Sequence, residues 1–171
     1  MNKISENIKN WYISNFNSFE NSLNGQINSP VHKIRRQAVS VLNELDFPTP
    51  KNEEWKYTNI APLLNYSFVP SNAEEHSGFD KIDKSLSKLI KSLNASLAVF
   101  VNGYYSEILS SLKPHANGIK IKSLASLIQK NPEFISNYFA KYAKIENSFT
   151  ALNTAFVNDG AFIHIPKGCV V

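Results

Sequence analysis

The chain has 171 residues, of which 43% are hydrophobic and 19% are charged, so it can bury a sizeable core. No apolar run approaches the roughly 20 residues that a membrane-spanning helix needs, and we expect a soluble protein. The net charge of +4 comes from scattered lysines that never form a basic block with interleaved aromatic residues. A solvated basic surface is the expected consequence.

The number of cysteines and the composition of the first residues indicate the cellular compartment of the protein. Cys169 is the single cysteine and cannot form an internal disulfide. Residues 1–19 lack the cationic start and the unbroken apolar run of a signal peptide. Both observations favour the cytoplasm.

Two amphipathic helices are predicted at the start of the chain. The first ends at Asn24-Gly25, and its apolar stripe serves either as core or as a dock for a partner helix; it contains Ile4, Ile8, Trp11, Tyr12, Phe16, Phe19 and Leu23. The second begins at Ser29-Pro30, where the hydroxyl can cap and proline suits the first turn. Its buried face contains Val31, Ile34, Ala38, Val41, Leu42 and Leu45. His32, Arg35 and Arg36 are placed on or beside the polar flank, either solvated or as an anion site.

Residues 47–58 are predicted to form a stiff connector. Pro48 and Pro50 hold the backbone extended, and a short charged and aromatic segment, Glu53-Glu54-Trp55-Lys56-Tyr57, follows. Neighbouring acids point apart on a strand or helix, and no third partner is near in sequence, which argues against acid–base catalysis. Trp55 and Tyr57 are therefore expected to anchor the connector to the helices, with the charges facing water.

The middle of the chain predicts a loop, a helix and a small sheet. Residues 71–78 form a polar loop with a solvated His76, and a helix follows that carries Ile82, Leu86, Leu89, Ile90 and Leu93. Asn102-Gly103 lies between two apolar runs and predicts a hairpin. Residues 119–121 alternate as a third strand of the sheet. His115, in the connector before that strand, is expected to be structural or solvated.

Two further helices are predicted before the last segment. Ser123 can cap a short helix that carries Leu124, Leu127 and Ile128. Asn131-Pro132 starts the next helix. Its apolar side is lined by Phe134, Ile135, Tyr138, Phe139 and Tyr142.

Residues 148–171 change from helical to strand spacing. A short helix ends at Asn158-Asp159-Gly160, a strand is predicted at 162–165, a turn at 166–168, and a second strand at 169–171 that has no successor. Such strands with tight turns are typical of the first rungs of a stacked β-architecture, so we expect the front part of a longer protein. His164 and Cys169 supply one imidazole and one thiolate, which do not make a complete metal site, and no metal or cofactor ligand is predicted in this chain.

Three different groups of short motifs follow one another along most of the chain. They are Arg36, Ala38 and Pro48 with Glu54-Trp55-Lys56-Tyr57-Thr58; Val99-Phe100-Val101-Asn102-Gly103 with Leu109-Ser110; and Leu152-Asn153-Thr154-Ala155-Phe156 with Asp159-Gly160 and Phe162-Ile163. Together they resemble the N-terminal region of the SufD family of the SUF iron–sulfur cluster assembly system. Residues 69–94 carry no motif of that family.

The resemblance implies an α+β fold in which an N-terminal helical domain with a small sheet, residues 1–147, leads into a connecting helix and the first strands of a right-handed parallel β-helix, residues 148–171. It implies a non-enzymatic scaffold component of iron–sulfur cluster assembly. The expected partners are a SufB-like homologue and a SufC-like ATPase, bound through regions mostly outside this chain, and the cluster belongs to the full complex. No catalytic, cofactor or metal residue of the family carries over to this sequence.

A second hypothesis is a stand-alone module that binds an anionic partner such as nucleic acid through its basic surface, with a steep loss of affinity on adding salt. An enzyme is the least favoured interpretation, because the sequence has no Walker loop, dinucleotide-binding turn, zinc spacing or nucleophile elbow.

Overall fold

The computed structural model describes residues 3–23, 25–69, 71, 84–93, 95–113 and 118–169, which divide into two compact units. The first unit comprises residues 1–70 and 131–157, and the second comprises residues 71–130 and 158–171. The predictions for Asn24, His76, Ile82, His115 and the strand beyond Cys169 lie outside the described residues. No helix in the described part of the chain is long and apolar enough to cross a membrane.

Within the described residues, four α-helices build the first unit: α1 (Lys3–Ser22), α2 (Pro30–Glu44), α5 (Pro132–Ser136) and α6 (Ser148–Ala155). Its buried core contains Ile8, Phe16, Phe19, Leu23, Ala38, Leu42, Phe47, Ile60, Ala151 and Ala155. Ile8, Phe16, Phe19 and Leu23 of the α1 stripe are buried, and Trp11 and Tyr12 pack against the core, which favours the core alternative for these residues. Removal of these side chains from water is the main force that holds the unit together.

The predicted starts of α2 and α5 are confirmed. The Ser29 hydroxyl accepts a hydrogen bond from the backbone N–H of His32 at 3.2 Å, and Pro30 opens α2. Asn131 caps α5 in the same way through the N–H of Phe134. Helix α6 begins with a reciprocal capping box between Asn147 and Thr150.

Helix α5 is shorter than predicted. It ends at Ser136, and Tyr138 and Tyr142, expected on its buried side, are 57% and 93% exposed. Ala140 adopts a positive φ of 56°, in the left-handed region, so the chain cannot continue as a right-handed helix there. The helical spacing of the aromatic residues was therefore misleading.

The second unit contains α3 (Lys84–Leu93), α4 (Leu124–Lys130) and four strands, β1 (Leu97–Val101), β2 (Tyr104–Ser111), β3 (Lys120–Ser123) and β4 (Ala161–His164). The predicted hairpin is confirmed: β1 and β2 pair antiparallel, and Asn102 and Gly103 have φ of 49° and 89°, as a type I′ turn requires. Ser123 caps α4 through the N–H of Ser126 at 3.1 Å, also as predicted.

The third predicted strand does not join the hairpin. Strand β3 pairs antiparallel with β4 in a separate two-stranded sheet, with Lys120 opposite His164 and Ser123 opposite Ala161. The prediction of one sheet was wrong because the alternation of 119–121 defines a strand but not its partner. The described residues thus form an α+β fold with small antiparallel sheets. The parallel β-helix and the domain boundary after residue 147 remain predictions.

Candidate functional site

A polar cluster lies between α1 and α2 and is formed by the buried His32 with the more exposed Glu20 and Arg36. The His32 Nε2 atom lies 2.7 Å from Glu20 Oε1, and Arg36 Nε donates to the same oxygen at 2.6 Å. The hydrogen bond with His32 and, to a smaller extent, the hydrogen bond with Arg36 lower the pKa of Glu20 below its ordinary value. His32 is fully buried and stacks on Phe16, so its predicted place at the polar flank was wrong. Glu20 therefore joins the two helices.

Arg35 is also buried, contrary to the prediction. Its Nε and Nη2 atoms donate hydrogen bonds to the carbonyl oxygen of Val157 at 3.1 and 2.9 Å, and its guanidinium carbon lies 5.7 Å from the centre of the Phe19 ring. Burial lowers the pKa of Arg35 to about 10, which leaves it charged at neutral pH. The sequence did carry a signal: Val31, Arg35, Ala38 and Leu42 share one helical stripe, and all are buried.

Asp159 organises the second unit and was predicted only as part of a turn. Its carboxylate accepts four hydrogen bonds, from the N–H of Tyr105, Ala125 and Gly160 and from the hydroxyl of Ser123, at 2.8 to 2.9 Å. It thereby satisfies a free N–H in the first turn of α4 and links that helix to β2. This arrangement is structural, since protein donors occupy the carboxylate.

The connector around Trp55 follows its prediction in part. Trp55 is half-buried and stacks on Phe149, with ring centres 5.4 Å apart, so it anchors the connector as predicted. Glu53 and Glu54 are exposed and face water. Tyr57 is 93% exposed, and its predicted anchoring role was wrong. Apolar side chains that follow the connector are also exposed, namely Leu63, Tyr66, Phe68 and Val69. Exposed apolar stretches of this kind are typical of interaction surfaces.

A groove of about 260 Å³ lies between α2 and residues 139–145. We call it the α2 groove. Ile34, Val41, Phe139 and Ile145 supply its apolar surface, and Lys141 and Lys144 supply cationic groups. The Lys144 ammonium lies 3.9 Å from the carboxylate of Glu146, and both side chains are more than 70% exposed. The sequence predicted a helix that runs into residues 139–145 and did not indicate that these residues line a cavity.

The two residues weighed as metal ligands lie near the end of the described chain. His164 is exposed on β4, and Cys169, which forms no disulfide, is half-buried after a turn in which its own N–H donates to the carbonyl oxygen of Pro166. Among the described residues, no three His, Cys, Asp or Glu side chains are grouped closely enough to hold a metal ion. A metal role for this pair has no geometric support there, and the absence of a ligand role stays a prediction.

Comparison of the amino-acid sequence with known proteins finds relatives in one family. The chain is 27% identical over 134 residues to an iron–sulfur cluster assembly SufBD family protein of Synechocystis, covering 77% of this chain and 28% of that protein. It is 29% identical over 111 residues to a SufBD family protein of Arabidopsis thaliana, covering 62% and 24% of the two chains. The iron–sulfur cluster assembly protein SufD of Bacillus subtilis is 26% identical over 145 residues, covering 81% and 32%.

The chain thus spans about a quarter to a third of the length of these relatives. No solved structure matches it significantly. The family model of the SufBD protein N-terminal region matches residues 6–171, which is nearly the whole chain. The chain therefore belongs to the SufBD family and corresponds to its N-terminal region.

Proposed function

We propose that this chain is the N-terminal region of a SufD-like scaffold component of iron–sulfur cluster assembly and that it is not itself an enzyme. The observation that carries the proposal is the family match over residues 6–171. The relatives described above, which carry names of iron–sulfur cluster assembly proteins, support the assembly role. The exposed apolar side chains at 57–69, at the end of the connector and beyond it, support a role in protein contacts.

The proposal extends to a longer protein, because the curated relatives are three to four times as long as the part that this chain matches. In that protein a parallel β-helix would follow this region. A SufB-like homologue and a SufC-like ATPase would bind mainly outside residues 1–171, and the complex would work in the cytoplasm.

The cluster would be the cargo of the complex rather than a resident group of this region. A cluster commonly needs about four Cys or His ligands. Cys169 is the single cysteine of the chain, so a site that used it would need ligands from another segment or another chain.

The test is deletion of the gene in its source organism, followed by assay of aconitase, whose activity needs an iron–sulfur cluster, and of malate dehydrogenase, which has none. We expect aconitase activity to fall, malate dehydrogenase activity to stay constant, and the complete gene to restore aconitase. The complete protein, purified by an affinity tag, should bring an ATPase with it. Unchanged aconitase activity would contradict the assembly role, and strong nucleic-acid binding that salt abolishes would favour the anionic-partner hypothesis.

A further inference from the structure

We propose that the α2 groove is a docking site for an acidic amphipathic segment of a partner protein. The groove combines apolar surface from Ile34, Val41, Phe139 and Ile145 with two cationic side chains. A segment that inserts apolar side chains and places carboxylates beside the lysines would match both properties. The inference rests on this geometry alone and does not depend on the cluster-assembly proposal.

Two tyrosines that are next to groove residues in the sequence remain largely exposed in the folded chain. Tyr138 and Tyr142 are 57% and 93% exposed, although their spacing would suit a buried helix face. Tyrosine presents a rigid apolar ring and a polar hydroxyl, and it is enriched at protein interfaces for that reason. The end of α5 at Ser136 thus leaves both tyrosines exposed, and the Tyr138 ring packs on Phe134 with ring centres 5.2 Å apart.

The backbone at the groove is strained. Ala140 lines the cavity and has a φ of +56°, a conformation that side chains other than glycine rarely adopt. Residues held in such conformations are energetically costly and cluster at ligand clamps and active sites. Here the turn at Ala140 places Lys141 and Lys144 at the cavity rather than continuing the helix.

The charge around the groove selects the partner. Lys141 and Lys144 are the charged residues of its lining. The 3.9 Å pair between Lys144 and Glu146 is fully on the surface and holds Lys144 only weakly. An incoming carboxylate can therefore replace Glu146. Nucleic acid is the less favoured ligand, because the lining combines two lysines with apolar side chains rather than presenting a row of cations.

The probe is a fluorescein-labelled peptide of about 12 residues, composed of Glu and Leu with the leucines at helical spacing. Its binding to the full chain is followed by fluorescence anisotropy at low salt, beside a peptide with Lys in place of each Glu and a labelled single-stranded DNA of about 12 nucleotides. We expect the Glu/Leu peptide to bind and the Lys/Leu peptide to bind at least about tenfold more weakly.

The decisive variant is Lys141→Glu with Lys144→Glu, which should weaken binding of the Glu/Leu peptide about tenfold or more. Its matched control is Lys51→Glu with Lys56→Glu: the charge change is the same, both residues are exposed in the same unit, and Lys56 also lies 3.9 Å from a glutamate. The control should bind like the unchanged protein. Circular dichroism checks that each variant is folded.

A second variant, Val41→Ser, tests the apolar wall and should also weaken binding of the Glu/Leu peptide. The inference is overturned if the two double variants lose affinity for the Glu/Leu peptide equally, if the Glu/Leu and Lys/Leu peptides bind alike, or if neither peptide binds. DNA that binds more tightly than the Glu/Leu peptide and loses affinity only in the Lys141 and Lys144 variant would overturn it in favour of a nucleic-acid partner.

Discussion

The guanidinium of Arg35 on α2 donates two hydrogen bonds to the carbonyl oxygen of Val157, just beyond the end of α6. The two residues are 122 positions apart in the chain. The end of a helix carries partial negative charge on its last carbonyl groups, which favours a buried cation nearby. One guanidinium nitrogen, Nη1, has no hydrogen-bond partner within the described residues. The contact therefore carries a desolvation cost that only its two hydrogen bonds and the Phe19 ring offset.

Arg35→Ala is expected to lower the free energy of unfolding by about 2 to 4 kcal/mol, because it leaves a cavity and an unpaired carbonyl group. Urea denaturation measures the change. Arg36→Ala is the control: its side chain is 55% exposed, and the loss should stay below about 1 kcal/mol. Equal losses in the two variants would show that the contact with Val157 contributes nothing special.

Glu20 should make the stability of the first unit depend on pH. The pKa of Glu20 is lowered from 4.5 in the folded chain. The ionised carboxylate therefore stabilises the fold above pH 4.5, and this stabilisation is lost as the pH falls through the folded pKa. Glu20→Gln should therefore be less stable than the unchanged protein at about pH 5.5, and the difference should shrink towards about pH 3. Urea denaturation across this range measures it. The exposed Glu54→Gln should differ little at either pH, and a constant deficit for Glu20→Gln would contradict the prediction.

Trp55→Ala should cost about 2 to 3 kcal/mol, less than a fully buried tryptophan, because the ring is half-buried and stacked on Phe149. Tyr57→Ala, two residues away and 93% exposed, should stay within about 0.5 kcal/mol. Thermal denaturation of the two variants distinguishes them. A larger effect of Tyr57→Ala would mean that the exposed ring is covered by another molecule in solution.

The sequence predicted the helices and the hairpin because their signals are local. Ser29 with Pro30 and Asn102 with Gly103 act on the backbone within a few residues, and the structure confirms both. The partner of β3 and the burial of Arg35 depend on residues far away in the chain, Ile163 and Val157. Local spacing does not encode such contacts, although the place of Arg35 on the apolar stripe of α2 was a usable signal.

The candidate groove escaped prediction for a related reason. Phe134, Tyr138 and Tyr142 have helical spacing, and only the positive φ of Ala140 shows that the helix does not continue. Alanine gives no warning of that conformation, since glycine or asparagine is the usual residue there. The cavity therefore arises from a tertiary constraint that overrides a good local pattern.

Asp159→Ala should loosen the second unit by removing the acceptor of four hydrogen bonds. We expect a loss of about 2 to 3 kcal/mol and faster amide exchange at Tyr105 and Ala125, whose N–H groups lose their partner. Nuclear magnetic resonance exchange measurements test both amides. Asp46→Ala, whose side chain is 63% exposed, should leave them unchanged. Unaltered exchange in Asp159→Ala would show that water replaces the carboxylate without cost.

The last prediction concerns the cluster itself. After anaerobic reconstitution with iron and sulfide and desalting, the chain alone should retain no stoichiometric iron–sulfur cluster, because Cys169 offers a single thiolate where about four ligands are commonly needed. Visible absorbance and an iron count measure this, with Cys169→Ser as the control. Iron bound equally by both proteins would be non-specific. A stoichiometric cluster that disappears in Cys169→Ser would refute the prediction and make Cys169 a ligand, with the exposed His164 as the first candidate to share the site.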